Sequence, residues 1–341
     1  MNNFKRKLLL SLIIVGILVL TAGCGGSTQT EGEGGAKEAK EAKYTFKLAH
    51  IAPPDHSFNA AAEKFKEELE ARSDGRMTLE VYPAGQLGNE ADMVQQIQSG
   101  SVDFGIITAA YLSSRATAFS AWFAPYLFED YNDVNESRKT DVAKKVLATL
   151  DEQGITGLDY HFSGHRTMLF KDKKPTTPEE MKGLKLRVTP SPTLQDWYKS
   201  LGVSPESLSL PDVYQAVQTG VIDGMDMDLD VTIMNKYHEV VDYAAVTNHM
   251  VWPGVAITNK SKFEEMSAED QEIVSSAISA AVEYANMKRA GQEEEFKKAL
   301  TDAGLELYEI DQAVFKKQID EFDQKYGAMD PLILEFIKNF R

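Results

Sequence analysis

Two arginines, three closely spaced aspartates and a single cysteine are the residues of this 341-residue chain whose types and spacing could do chemistry. Arg187 lies in GLKLRVTPSP, residues 183–192, where Leu184, Leu186 and Val188 alternate with Lys185, Arg187 and Thr189. That is the period of a half-buried strand. The apolar set points into a core, so Arg187 points the other way, at the strand's end before a Pro-Ser-Pro break. It is either a solvated strand residue or it faces something that needs a rigid guanidinium. Asp226, Asp228 and Asp230 alternate in GMDMDLD and would point one way along a strand, where like charges repel. They form a solvated face, or else Asp226 meets an ammonium group or a cation. A calcium loop is excluded: Tyr237 stands where the bidentate glutamate would be, and position six carries no glycine. His161 and His165 have helix-like spacing without helical context and read as structural. No G-x-S-x-G, H-E-x-x-H or phosphate loop is present, so an exported enzyme would have no recognisable machinery.

The elements that must hold these residues begin with a leader. Lys5, Arg6 and Lys7 precede an apolar run from Leu8 to Leu20, too short for a comfortable membrane span and laid out as an export signal. It ends at Thr21-Ala22-Gly23-Cys24, which resembles a lipoprotein cleavage site, with Cys24 as the lipidated first residue. A disulfide is impossible with one cysteine. Residues 25–43, GGSTQTEGEGGAKEAKEAK, carry no large apolar side chain and read as a flexible tether. The formal charge is −16 and becomes −19 once the three leader cations Lys5, Arg6 and Lys7 are removed. Such acidity argues against nucleic acid or an anionic membrane face as partner. An anionic ligand would need local cations.

The remaining chain is long for one core and suits two lobes. Strand and helix patterns alternate from Tyr44 onward, predicting an α/β fold whose sheets are largely parallel with helices on both faces. VQQIQSGSVDFGIIT (94–108) and YQAVQTGVIDGMDMD (214–228) echo one another, aligning Gln98-Ser99-Gly100 with Gln218-Thr219-Gly220 and Asp103 with Asp223. Each reads as helix, glycine stop and strand, so the two lobes are expected to be alike. The reading assigns residues 44–166 with 250–290 to lobe I, and 167–249 with 291–341 to lobe II. Ser267 caps a predicted helix running to about Ala303 and spanning both lobes. Ligands of open α/β sheets sit beyond the carboxyl ends of the strands, which places His50, Thr108 and the Met225–Asp228 stretch at a shared cleft.

GLKLRVTPSP, VYQAVQTGVIDG, KYHEVVDY and TNH, with AGQLGNE and FAPYLFED upstream, resemble in order and spacing the solute-binding proteins of TRAP transporters, the DctP-type family. The resemblance implies a two-lobed periplasmic-binding-protein-like fold that closes on an organic acid. It also implies delivery to the small and large membrane subunits of a permease driven by an ion gradient, with no cofactor and no enzymatic activity. The protein is expected to be monomeric and extracytoplasmic, held to the membrane by its lipid. Family motifs put Arg187 where an arginine forks onto the ligand carboxylate, which lysine cannot do, and Arg166 at the family's second arginine. A receptor-linked sensor would share this entire fold.

The departures bear on specificity. Met227 stands where a familiar ligand-binding asparagine would be, while Pro190, Leu210 and Trp252 replace Asn, Phe and Asn of sialic-acid binders. Keto-acid-binding relatives carry a metal-contacting glutamate at the position of Asp226. A wall of Met227, Leu210 and Trp252 offers few hydroxyl partners, and each desolvated, unpaired hydroxyl costs roughly 1–3 kcal/mol. The expectation is a small or partly apolar acid in preference to a polyhydroxylated one.

Overall fold

Alternating and helical periodicities follow one another down the chain, and the computed structural model, which describes residues 43–128 and 130–341, gathers them into two sheets. The leader, Cys24 and all of the tether except Lys43 lie outside the described residues. The first sheet contains β1 (Tyr44–His50), β2 (Met77–Tyr82), β3 (Phe104–Thr108), β4 (Ile155–His165) and, returning late in the chain, β10 (Val251–Asn259), in the order β2-β1-β3-β10-β4. The second contains β5 (Thr167–Phe170), β6 (Lys185–Val188), β7 (Ser204–Ser207), β8 (Gly224–Met227), β9 (Tyr243–Ala245) and β11 (Glu306–Tyr308), in the order β11-β9-β5-β8-β6-β7. Among the described residues, no helix is long and apolar enough to cross a membrane.

The sheets are mixed, where the sequence pattern implies largely parallel ones. β1 pairs in parallel with β2 and β3, and β6 with β7 and β8. In contrast, β10 runs antiparallel between β3 and β4, and β5 antiparallel to β8 and β9. Parallel neighbours need a crossover of a dozen or more residues. The chain instead passes directly between the sheets, through Arg166 alone after β4 and through residues 246–250 before β10. A strand returning that way runs opposite to the one that left.

The internal echo is structural. The helix Glu90–Ser99 stops at Gly100 (φ 75°) and leads to β3; the helix Val213–Gln218 stops before Gly220 (φ 74°) and leads to β8. Asp103 accepts a hydrogen bond from the Lys47 amide at 2.9 Å, and Asp223 accepts one from the Lys185 amide at 2.8 Å. Each aspartate thus ties its strand to the parallel neighbour, β1 or β6. The same local sequence sets the same strand register in each sheet.

The helices Ser57–Arg72 and Ala268–Ala290 bury Phe58, Phe65, Leu69, Val274, Ile278 and Val282 against the first sheet. Ser267 caps the second of these as expected, but the helix does not continue to Ala303. It breaks at Gly291-Gln292 and resumes as Glu293–Asp302, whose Leu300 packs in the core of the second sheet. Glycine weakens helix continuity, and here each segment follows its own sheet.

Close packing at β8 gives a stability test. A Cβ on Gly224 would fall on the carbonyl oxygen of Leu169, and within 3.0 Å of Leu186. Backbone cannot yield as a side-chain end can, so Gly224→Ala is expected to destabilise by about 1–3 kcal/mol. Denaturant titration followed by circular dichroism checks this; an unchanged midpoint would contradict the packing.

Candidate functional site

A cavity of about 230 Å³ lies where several strands end. Arg187 reaches it from β6 and Thr189 from just beyond it, Met227 from the end of β8 and Asp228 from just beyond it, and Thr108 from the end of β3. Ile51 and Ala52 follow β1, and Arg166 stands at the passage between β4 and β5. Of the residues singled out in the sequence, Arg187, Arg166, Met227, Trp252, Thr108 and Leu210 line it; Asp226 and His50 do not.

Arg187 is 2% exposed, so the second face of its strand is covered as well as the first. The alternation that reads as half-buried is a strand with core on one side and cavity on the other. Its Nε donates to the carbonyl of Leu208 at 2.9 Å, which fixes the guanidinium plane. Among the described residues no carboxylate forms a salt bridge with it. Burial, and then the neighbouring Arg166, push it down to about 10. A desolvated cation is costly without a partner, and this one faces the cavity.

Arg166 is neutralised. Its Nε donates to Asp226 Oδ1 at 2.6 Å, its Nη2 donates to the Asp226 carbonyl at 2.6 Å, and its Nη1 lies 3.5 Å from Asp228 Oδ1. The guanidinium lies over the Trp252 ring, 3.9 Å from the centroid, a favourable cation–π placement. Burial alone would lower its pKa; Asp226 and Asp228 hold it above the usual value.

Asp226 therefore acts behind the cavity wall. Its carboxylate takes Arg166 on one oxygen, and Tyr198 Oη (2.7 Å) and His249 Nε2 (3.2 Å) on the other. Burial works to raise its pKa, but Arg166 and His249 win and hold it well below the carboxylate range. This fully paired acid is not placed to receive an ammonium group or a bridging cation. His50 is likewise set back, bonded through Nε2 to Asn59 Oδ1 at 3.2 Å. His161 is held between Ser57 and Asn286, and His165 packs edge-on against Tyr131; neither lines the cavity.

The three aspartates do not form a strand face. β8 ends at Met227, Asp228 precedes the helix Leu229–Met234, and Asp230 lies within that helix. All three are buried and each has its own hydrogen-bond partner: Asp226 takes Arg166, Asp228 the Ser163 hydroxyl at 3.1 Å with Arg166 Nη1 3.5 Å away, and Asp230 takes Arg289 Nε at 3.2 Å. Alternation ended where the helix began, so the shared direction was lost.

Sequence reasoning missed Glu90 and His56, while Asp228, the end of the stretch expected at the cleft, does line the cavity. Glu90 opens the helix capped by Asn89; its carboxylate oxygens accept from the Thr108 amide (2.6 Å) and hydroxyl (3.1 Å). Burial pushes it up to about 7, against the lowering by Thr108 and Arg187. It is the last residue of AGQLGNE, so the motif pointed to it, although nothing local shows its partner. His56 is the N-cap of the helix Ser57–Arg72, its Nδ1 accepting from the Phe58 amide at 3.1 Å.

His56, Asp228 and Asp230 bring ligand-type atoms within 4.8 Å of one another, which raises a metal. The donor set does not fit one. With Nδ1 accepting, Nε2 carries the proton of the neutral ring, and it points at Asp230 Oδ2, 3.4 Å away. Arg289 and Arg166 already lie against the two carboxylates.

Comparison with known proteins follows from this geometry. The family model for bacterial extracellular solute-binding protein, family 7 (DctP) matches residues 48–330. The C4-dicarboxylate-binding periplasmic protein DctP of Rhodobacter capsulatus is 29% identical over 291 residues, 83% of this chain and 87% of that protein. The 2,3-diketo-L-gulonate-binding periplasmic protein YiaO of Escherichia coli K12 is 26% identical, over 76% of this chain and 79% of that one. Among solved structures, a TRAP periplasmic solute-binding protein of Sulfitobacter sp. NAS-14.1 with bound β-D-galacturonate superposes with a TM-score of 0.82 at 26% identity, over 87% of this chain and 99% of that one.

Proposed function

The chain belongs to family 7 of the bacterial extracellular solute-binding proteins, those of TRAP transporters, and from that premise we propose that it captures a small organic acid in this cavity and delivers it to the small and large subunits of a TRAP permease. The observation that carries the reading is Arg187, a buried guanidinium that lines the cavity and, among the described residues, forms no salt bridge with a carboxylate. A carboxylate supplies the missing charge and both acceptors of the fork. In this reading residues 44–166 with 250–290 form one lobe and 167–249 with 291–341 the other, and the lobes close on the ligand. The leader motif and Cys24 support export and lipid anchoring. The protein works as a monomer that binds without turnover, in keeping with a family of transport proteins.

A thermal-shift screen against organic acids, followed by calorimetry, tests the reading. Ligand at about 100 times Kd adds about 2.7 kcal/mol to the folded state, so the matching acid is expected to raise the melting temperature and be recovered unchanged. Conversion of the acid by homogeneous protein, or no response to any acid, would count against it. The same titration carries a pH signature. Glu90 sits near 7 because of burial, and an anion seated beside it raises it further. The complex then holds more proton than the free protein, so affinity is expected to fall as pH rises from about 6 to about 8. In Glu90→Gln that slope is expected to disappear.

A further inference from the structure

An anion approaching this cavity meets a repulsive field. Without Lys5, Arg6 and Lys7 the chain carries a formal charge of −19, and like charge slows encounter. The cations inside do little to offset that at a distance: Arg166 and Arg187 are 1% and 2% exposed, and Arg166 is neutralised by Asp226. Every charged residue of the lining is buried. The partly exposed lining residues that form the mouth, Asn89, Tyr111, Pro190 and Leu210 among them, carry no charge. Beside them, Asp92 and Asp212 are exposed, next to Ala91 and two residues beyond Leu210 in the chain. One cation is held at this rim. Arg115 is half-buried, its Nε donates to the Tyr111 hydroxyl at 3.1 Å, and its guanidinium lies 5.6 Å from the centre of the Tyr111 ring. Tyr111 itself lines the cavity.

Of the eight arginines among the described residues, six form salt bridges there, and Arg115 and Arg187 form none. On so acidic a protein a surface arginine readily meets a carboxylate. This one instead directs its Nε–H to a neutral phenol, which fixes the guanidinium in place without cancelling its charge. Resting on the carboxylate-capture reading above, we infer that Arg115 is an electrostatic guide: it draws an anionic solute to the mouth and does not contact the bound solute, which Arg187 holds. The division of roles follows from exposure. A charge on a wet rim acts on diffusional encounter and is screened by salt, whereas a desolvated charge acts on the residence time. The guide is also built on the strand that brings Thr108 to the cavity. Tyr111 lies in the one-turn helix Ala109–Leu112 directly after β3, and the Arg115 amide donates back to the Leu112 carbonyl at 2.9 Å.

Stopped-flow tryptophan fluorescence tests this, because Trp252 lines the cavity. The probe is whichever of succinate, glutarate, 2-oxoglutarate, pentanoate and D-gluconate raises the melting temperature most. At about 0.01 M salt, where a charge is felt over about 30 Å, Arg115→Gln is expected to slow association about two- to fivefold, and the charge reversal Arg115→Glu more. Dissociation is expected to stay within about 1.5-fold of wild type in both. At about 1 M salt the association rates should converge. Arg115→Lys keeps the charge and is expected to associate within about 1.5-fold of wild type at either salt. A loss that lies in dissociation and persists at high salt would make Arg115 a contact of the bound acid. Equal losses in the lysine and glutamine variants with a lowered melting temperature would make it a structural residue. Either result, or association unchanged in all three variants, overturns the guide and leaves carboxylate capture standing. If neither these five nor any other organic acid shifts the melting temperature, both are overturned.

Discussion

Arg187→Ala and Arg187→Lys are both expected to lose at least about a hundredfold in affinity for the bound acid. Breaking a buried, hydrogen-bonded charge pair costs about 3–5 kcal/mol, and 1.4 kcal/mol is a factor of ten. Lysine fails for a geometric reason: a point charge on a flexible stem cannot reproduce the planar fork that the Leu208 carbonyl orients. The folded protein without ligand should behave in the opposite sense. Arg187 is buried beside Arg166, among the described residues it forms no salt bridge, and its pKa is pushed down to about 10. A lowered cation pKa means that the charged form is disfavoured in the fold throughout the range below that value. Arg187→Met, close in length and apolar, is therefore expected to melt at or above wild type while binding no acid. Calorimetric titrations set beside melting curves check both halves. Affinity within about threefold of wild type for the lysine variant would show that the planar fork of Arg187 does not hold the ligand carboxylate.

Asp226 carries the second large effect, on stability. Asp226→Ala is expected to destabilise the protein by about 3–5 kcal/mol, because Arg166 would keep a buried charge without its main partner. Tyr198 and His249 would lose the same acceptor. Asp226→Asn preserves shape and offers a version of the test less prone to misfolding. Its pH dependence identifies the cause. Asp226 is held below the carboxylate range, so its contribution is complete above its unfolded value of about 3.9 and is lost as pH falls through the depressed folded value. Wild type should lose stability steeply below about pH 4, and Asp226→Asn should show a shallower acid limb. Equal acid limbs in denaturant titrations would mean that the Arg166 pair contributes little.

Local physics made much of this legible and long-range physics did not. The helix–glycine–strand echo announced Asp103 and Asp223 in matching places, and both tie the same kind of strand pair. Arg187 stood out because its strand alternates and its neighbours are aliphatic. The alternation could not say that the opposite face would be covered by a cavity. Asp226 lies 60 residues from Arg166, and nothing in its own segment shows that the two would pair. His56 and Glu90 carry local signals for helix starts, which they are. Their second role arises only when the ends of β1, β3, β6 and β8 converge. The return of β10 between β3 and β4 brings Trp252 beneath Arg166, and no period in the sequence encodes that insertion.

The central claim is that one ligand carboxylate completes Arg187. A crystal structure of the protein with the acid that most raises its melting temperature tests it most directly. The account predicts both carboxylate oxygens at about 2.7–2.9 Å from the Arg187 guanidinium nitrogens, with Arg166 still held by Asp226. A carboxylate bound elsewhere, with Arg187 touching no atom of the ligand, would contradict it.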